Sequence, residues 1–300
     1  MNEHKPLISI GVPVFNGEDY IREALDSLLA QSYANLEINI YDNASTDRTE
    51  EICRLYCAKD RRIRYHRNAR NLGLLPNWRR ALDLAAGDYF MWAAHDDYWS
   101  TNYLETLLEC LLAYPKAVLA AGKTVFVDGT GSIREEMEPD FAPERDGGTP
   151  GIASQLLLQH AHNWLHGLYP RDELLKLPPT LFVEDPWGSD VLFLLEVCLS
   201  REVVGSNRAV MYKRYLGTQR GGPKTPIERV KWQCWFARAL LRVIARSPLP
   251  LKEKMAVTQT YFRYLHWLYF RHGLYSWTKL WLRAGYQYLR EASILYKKTS

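Results

Sequence analysis

The sequence predicts an α/β fold with a mainly parallel, doubly wound sheet, and three observations carry that expectation. Short apolar runs alternate with helix-periodic stretches over the first 130 residues. Such alternation argues for parallel strands joined by right-handed crossovers. One run, Tyr89-Phe90-Met91-Trp92-Ala93, leads through Ala94 and His95 into two adjacent acids, Asp96 and Asp97. The last 75 residues lose the strand pattern and read as helices.

Each element has its own justification. Leu7 to Val14 reads as a strand, and Glu18 to Ala30 places Ile21, Ala24, Leu25, Leu28 and Leu29 at helical spacing. Leu36 to Tyr41 is the second strand, and Thr46-Asp47-Arg48-Thr49-Glu50 opens the next helix with Ser45 or Thr46 as its cap. Ile63 to His66, Asn77 to Ala86 and Tyr89 to Ala93 give a third strand, a third helix and a fourth strand, and Lys116 to Val127 gives another strand. Asp128 to Gly151, rich in Gly, Pro and charge, is expected as a mobile surface loop. A helix near Ile152 to His160, a short strand near Trp164 to Tyr169 and a helix from Ser189 to Leu199 follow. Gly217 to Pro226 has the composition of a linker or lid, and Ile227 to Arg246, Lys252 to His272 and Leu274 to Tyr296 continue as helices. The expected division is therefore residues 1–224 and 225–300.

Composition narrows the class. The chain has 300 residues, 47% of them hydrophobic and 24% charged, ordinary values for a globular protein. Its five cysteines are scattered without zinc-ligand company, which favours reduced thiols and a cytoplasmic setting over a disulfide framework. The first six residues lack the long apolar stretch of a signal peptide, and no run of about 18 uncharged apolar residues predicts a membrane span. The net charge of +4 conceals an asymmetry. Residues 225–300 hold 14 Lys and Arg against 3 Asp and Glu, while residues 1–224 hold 24 against 31. Arg238, Arg242 and Arg246 recur on one helical face among many Trp, Tyr and Phe. That tail suits packing on the first domain, a homodimer contact, or an anionic membrane surface met by residues 226–300. No nucleic-acid motif accompanies the charge.

Two acids after a strand place negative charge at the carboxyl edge of an open α/β sheet, where ligands of such folds bind. The pair is a candidate site for a metal and a diphosphate. Three further segments flank the same edge: Pro13-Val14-Phe15-Asn16 closes the first strand, Tyr41-Asp42-Asn43-Ala44-Ser45-Thr46-Asp47 closes the second, and Asn71-Leu72-Gly73 precedes the third helix. These four segments in this order resemble the nucleotide-sugar domain of the family 2 glycosyltransferases, inverting enzymes of GT-A fold. The resemblance is strong over residues 5–130 and looser over 160–220.

The resemblance implies an enzyme that moves a sugar from a nucleotide diphosphate donor, UDP or dTDP favoured, to a hydroxyl of a glycan, a lipid-linked or a small-molecule acceptor, as in cell-surface polysaccharide synthesis. It implies that Asp42 reads the base, with an Asx-turn or helix cap as the alternative, and that Pro13, Phe15, Asn16 and Asn71 surround base and ribose. Asp97 becomes the expected ligand of Mg²⁺ or Mn²⁺, with Asp96 at the ribose or metal and His95 either a ligand or a packed turn residue. Many relatives carry an acid where this chain has Ala94, so the motif is one carboxylate short. The acceptor's general base is expected at Asp190, then Asp185, then Glu184, the alternative for Asp190 being a helix N-terminal charge. Trp164 and His166 are candidates for an acceptor wall or for core positions, and Arg214 for the diphosphate or a solvated strand end. Two other classes stay open: a nucleotidyltransferase, which would favour a Gly-rich phosphate loop that Phe15-Asn16-Gly17-Glu18 lacks, and a catalytically inactive scaffold of the same fold, which the alanine at position 94 favours.

Overall fold

The computed structural model describes residues 5–137, 148–159, 162–177, 188–215 and 225–271. The chain divides into two compact units at Gly217 and Thr218.

In the first unit, β1 (Ile8–Val14) and β2 (Leu36–Asp42) are buried along their entire length. Parallel strands covered by helices on both faces have no wet side, which is why even Ser9, Glu37, Asn39 and Asp42 within them are buried. With β3 (Ile63–Arg67), β4 (Tyr89–Trp92) and β8 (Tyr169–Pro170) they form a sheet in the order β3-β2-β1-β4-β8, parallel except for β8. The helices α1 (Ile21–Leu29), α2 (Thr49–Lys59) and α3 (Leu74–Asp83) connect these strands. α1 buries Ile21, Ala24, Leu25 and Leu28, and each of its large aliphatic residues contributes about 2 kcal/mol by leaving water.

β1 has β2 on one side and β4 on the other, so the winding direction reverses at β1. The carboxyl ends of β1, β2 and β4 therefore open onto the crevice where doubly wound folds bind ligands. A second sheet has the order β5-β9-β6-β7, from β5 (Tyr98–Trp99), β9 (Glu202–Arg214), β6 (Ala117–Val127) and β7 (Ile133–Met137). β6 and β9 run parallel, and the register ends with Val127 opposite Arg214. An isolated bridge between Ala120 and Leu168 accompanies the two sheets. Further helices are α4 (Tyr103–Ala113), α5 (Gly148–Gln159), α6 (Arg171–Lys176) and α7 (Ser189–Ser200).

Several elements differ from the expectation. The supposed loop after Asp128 begins as a hairpin, because the Asp128 carboxylate accepts from the Thr130 and Ser132 amides and turns the chain into β7. The supposed strand Trp164 to Tyr169 is mostly a 3-10 turn, His162–His166, followed by the short β8. α3 starts at Leu74 rather than Asn77, after Gly73 with φ of 89°. β9 and β5 were not foreseen as strands. The 217–226 linker and the 274–296 helix lie almost wholly or wholly outside the described residues.

In the second unit, α8 (Pro226–Arg246) begins with a capping box. The Glu228 amide donates to Thr225 Oγ1 and the Thr225 amide to Glu228 Oε2, which satisfies two otherwise orphaned donors. α9 (Leu251–Arg271) follows Pro250, and among the described residues of the pair Leu240, Ile244, Val257 and Tyr261 are buried. Arg238, Arg242 and Arg246 are exposed. No helix among the described residues is long and apolar enough to cross a membrane.

Candidate active site

The β1 and β2 ends are joined by side chains that reach across to backbone. Asn16, at φ of 51°, accepts the Thr46 amide on Oδ1 while its own amide donates to Ser45 Oγ. Left-handed backbone is tolerated best by Gly and Asn, so Asn16 suits this corner. The Gly17 amide donates to Thr49 Oγ1, and the Glu18 amide to Asp47 Oδ2. Asp47 also takes the Thr49 amide and hydroxyl, as expected for a residue that starts a helix. Partial burial acts to raise the Asp47 pKa, but the hydrogen bonds from Thr49 and the Glu18 amide outweigh it and hold the carboxyl below its usual value.

Asp42 is fully buried at the end of β2. Its Oδ1 accepts the Ser45 amide at 2.9 Å and the Ser45 hydroxyl at 2.5 Å, and its Oδ2 accepts the Tyr65 hydroxyl at 2.5 Å. Burial and the contact with Asp42 both push the Tyr65 phenol upward. A carboxylate that reads a base must present an oxygen to the crevice, and this one presents none. Asp42 therefore organises an Asx-turn, which corrects the base-reading expectation.

An asparagine network fixes the next loop. Asn43 donates to Asn71 Oδ1 and to the Gly73 carbonyl, and accepts the Leu72 amide and the Asn68 side chain. Asn68 donates also to Asn77, which donates to the Tyr41 carbonyl. Asn71 thus braces its own turn, accepting the Gly73 amide as well. Pro13 is buried inside β1, two residues past the last β1–β4 pair, Gly11 with Trp92, where a missing N–H is tolerated. Beside the exposed polar residues Asn16, Thr46 and Asn71, this side exposes two apolar ones, Phe15 at 40% and Leu72 at 38%.

The β4 side is built differently. Asp97 is 2% exposed. Its Oδ1 accepts the Arg214 amide at 2.9 Å, but its buried Oδ2 has no hydrogen-bond partner. Among the described residues the cation paired with it is the Lys213 ammonium, 3.7 Å from Oδ2. Burial pushes the Asp97 carboxyl up to about 6, Lys213 pulls it down and Asp96 pushes it further up. Asp96 is half-buried beside it. His95 is half-buried too, and its ring lies against Gly17: a Cβ on Gly17 would stand 2.6 Å from His95 Cδ2. The packed-turn reading of His95 fits this geometry.

Arg214 does not face the crevice. It pairs with Glu23, donates to the Asp96 carbonyl and stacks on the Tyr20 ring at 4.6 Å. At 8% exposure it ties β9 to α1, which corrects its assignment to the diphosphate. Lys213, its neighbour, reaches the acid pair instead, a role that sequence reasoning missed.

Trp164 and His166 are 3% and 4% exposed, so neither offers a face to a sugar ring. His166 Nδ1 lies 3.0 Å from the Trp92 carbonyl beneath β4, and both residues are core groups, a correction of the acceptor-wall reading. Asp190 occupies the first turn of α7 after Gly188 with φ of 80°, half-exposed, and its Oδ1 accepts the Val191 amide. Asp185 and Glu184 lie outside the described residues.

The donor set at Asp96 and Asp97 fits a hard divalent cation. The unpartnered Asp97 Oδ2 is a buried oxygen seeking positive charge, and Mg²⁺ commonly takes one or two carboxylates and completes its shell with phosphate and water. Among the described residues no group of three or more His, Cys, Asp or Glu could hold a metal, so a bound ion would depend on substrate oxygens.

Comparison with known proteins bears on this site. Residues 9–170 match the family model described as Glycosyl transferase family 2. The chain is 34% identical over 131 residues to Bacillus subtilis TuaG, a glycosyltransferase named for teichuronic acid biosynthesis, covering 43% of this chain and 52% of that protein. For matched glycosyltransferases of Rickettsia typhi, Rickettsia felis and Streptococcus pneumoniae, the chain spans a third of their length or less. The structure superposes on S. aureus TarS 1–349 in complex with UDP-GlcNAc with a TM-score of 0.64, at 20% identity over 86% of this chain and 72% of that one. For the mannosyltransferase PcManGT from Pyrobaculum calidifontis in complex with GDP-Man and Mn²⁺, the TM-score is 0.56 at 17% identity, covering 97% and 81%. Likeness at such identities establishes a common fold.

Proposed function

Because the chain belongs to glycosyl transferase family 2 and has a GT-A fold, we propose that it transfers a sugar, with inversion, from a UDP- or dTDP-linked donor to an acceptor hydroxyl in cell-surface polysaccharide synthesis. One observation carries the reading: a buried carboxylate oxygen, Asp97 Oδ2, stands without a hydrogen bond at the switch point of the sheet, next to a second acid and a lysine. TuaG's name supports the polysaccharide setting, and the UDP-GlcNAc held by TarS supports a uridine donor.

The residues divide the work. Phe15 and Leu72 offer apolar faces to base and ribose on the β1–β2 side. Asp42, Asn16 and the asparagine network act indirectly, by fixing the loops that carry those faces. Asp97 and Asp96 would hold Mg²⁺ or Mn²⁺. When bound, that ion supplies positive charge to the diphosphate, which eases departure of the nucleoside diphosphate. Asp190 accepts the proton of the acceptor hydroxyl on the opposite face of the sugar. It stands in the first turn of α7.

The test is a panel of UDP-, dTDP- and GDP-sugars assayed for nucleoside diphosphate release with Mn²⁺ or Mg²⁺. Wild type should turn over at least one uridine or thymidine donor. Asp97→Ala should lose a factor of about 10² or more, and Asp190→Asn should bind donor normally while losing about 10² in transfer. Equally slow release by wild type and Asp97→Ala with every donor overturns the enzymatic reading in favour of a non-catalytic protein of the same fold.

A further inference from the structure

Lys213 is left unexplained by the proposed chemistry. It sits at the end of β9, adjacent to Arg214, yet the two residues have opposite surroundings. Arg214 is enclosed by Glu23, Tyr20 and the Asp96 carbonyl. The Lys213 side chain is 25% exposed, and its ammonium lies 3.7 Å from Asp97 Oδ2. That distance gives a charge contact and no hydrogen bond, so the ammonium is near the oxygen without being fixed to it. Among the described residues, the acid pair thus has two carboxylates, with Ala94 adding no third, and one lysine on a flexible four-carbon stem.

We propose that Lys213 is an exchangeable counter-ion of the acid pair: it balances Asp97 in the ligand-free protein and moves to the diphosphate oxygens when a divalent cation takes Asp97 Oδ2. The proposal rests on the donor-site reading above. Its physical basis is repulsion between cations: a divalent ion on Asp97 Oδ2 would stand within a few ångströms of the Lys213 ammonium, now 3.7 Å from that oxygen. The ion displaces the ammonium, and the diphosphate that the same ion binds brings new anionic oxygens to receive it. A lysine placed in this way opposes metal binding before the donor arrives and aids donor binding afterwards, so metal and donor load together.

The signature is a change of opposite sign in two affinities. Calorimetry on the full chain would measure Mn²⁺ binding without nucleotide. It would then measure binding in EDTA of whichever of UDP, dTDP and GDP the wild type holds with Mn²⁺. Lys213→Gln should tighten Mn²⁺ about tenfold and weaken the nucleoside diphosphate about tenfold, the size of one charged contact. Lys213→Arg, which keeps the charge, should stay within about threefold of wild type for the nucleotide, with thermal melts confirming that both variants fold. A purely structural lysine would leave both affinities unchanged or weaken both, and either result overturns the proposal. So does a wild type that binds nucleotide only with Mn²⁺ present. A wild type that binds none of the three nucleotides under any condition refutes the donor-site reading itself, and this proposal with it.

Discussion

The two sides of the crevice satisfy their polar groups in opposite ways. On the β1–β2 side the carboxylates of Asp42 and Asp47 and the amides of Asn43 and Asn71 are engaged by neighbouring protein groups. On the β4–β9 side Asp97 keeps one buried oxygen without a hydrogen bond. Buried polar groups in native proteins are nearly always paired, and an exception asks for a reason. The β1–β2 side leaves only neutral atoms unpaired among those described, such as Asn68 Oδ1 and the Tyr41 hydroxyl; with its carboxylates saturated it is scaffold, and the side with the unsaturated carboxylate is where charge is to be exchanged. An acidic residue near a crevice is therefore identified by what it lacks more than by where it sits.

The largest expected effect tests the saturated side. Asp42→Ala removes the acceptor of the Ser45 amide and hydroxyl and of the Tyr65 hydroxyl at a fully buried position. Leaving buried donors unpaired is among the few routes to large destabilisation, so about 3 kcal/mol should be lost in urea unfolding. Tyr65→Phe should lose about 1 kcal/mol by removing one of those bonds. A stable Asp42→Ala whose only defect is weaker nucleotide binding would restore the base-reading role and break the contrast.

Gly17 is where the two sides touch. Its amide donates to Thr49 Oγ1 on one side, and the space for a side chain is filled by His95 Cδ2 and Val14 Cγ2, each 2.6 Å from a Cβ placed there. Gly17→Ala must move the His95 ring or the β1 end, which should destabilise by about 2 kcal/mol, as overpacking does. It should also weaken Mn²⁺-dependent nucleotide binding, because His95 precedes the acid pair. If melting falls while nucleotide affinity holds, the two sides are mechanically independent.

Much of this fold can be read from the chain because its core is local in sequence. β1 and β4 are largely apolar, β2 carries its aliphatic residues at alternate positions, each ends in a polar turn, and the acid pair closely follows β4. What is hidden is set by distant pairing. Lys213 and Arg214 gain their roles only when β9 pairs antiparallel with β5 and brings the Arg214 amide to Asp97, far back in the chain. Nothing local separates the lysine that meets the acids from the arginine that stacks on Tyr20. Asp42 was legible in principle: a serine three residues after an aspartate is an Asx-turn signal, and it outweighs a position at a strand end. The asparagine network had a weaker signal, an Asn recurring at the ends of successive elements. Trp164 and His166 misled because an aromatic and a histidine near a crevice look like ligand-binding groups until a 3-10 turn packs them beneath β4.

The last effect tests the unsaturated side directly, through pH. Burial raises the Asp97 carboxyl from its ordinary 3.8 to about 6, with Lys213 opposing and Asp96 adding to the shift. The folded protein then holds this proton more tightly than the unfolded chain does. Wild-type stability should fall as pH rises across that interval and level off above it. Asp97→Asn carries no titrating group and keeps an oxygen for the Arg214 amide, so in metal-free buffer it should equal wild type near pH 4 and exceed it at pH 7. The full shift corresponds to roughly 3 kcal/mol and already includes the Lys213 attraction. Part of it has been lost by pH 4, so a gain of about 2 kcal/mol, or about 4–8 °C in Tm, is expected at pH 7. The same variant should bind Mn²⁺ less tightly, gaining stability at the expense of the site, as residues strained for function do. A melting difference that stays constant from pH 4 to pH 8 would mean that Asp97 is satisfied after all, and the asymmetry between the two sides of the crevice would lose its chemical meaning.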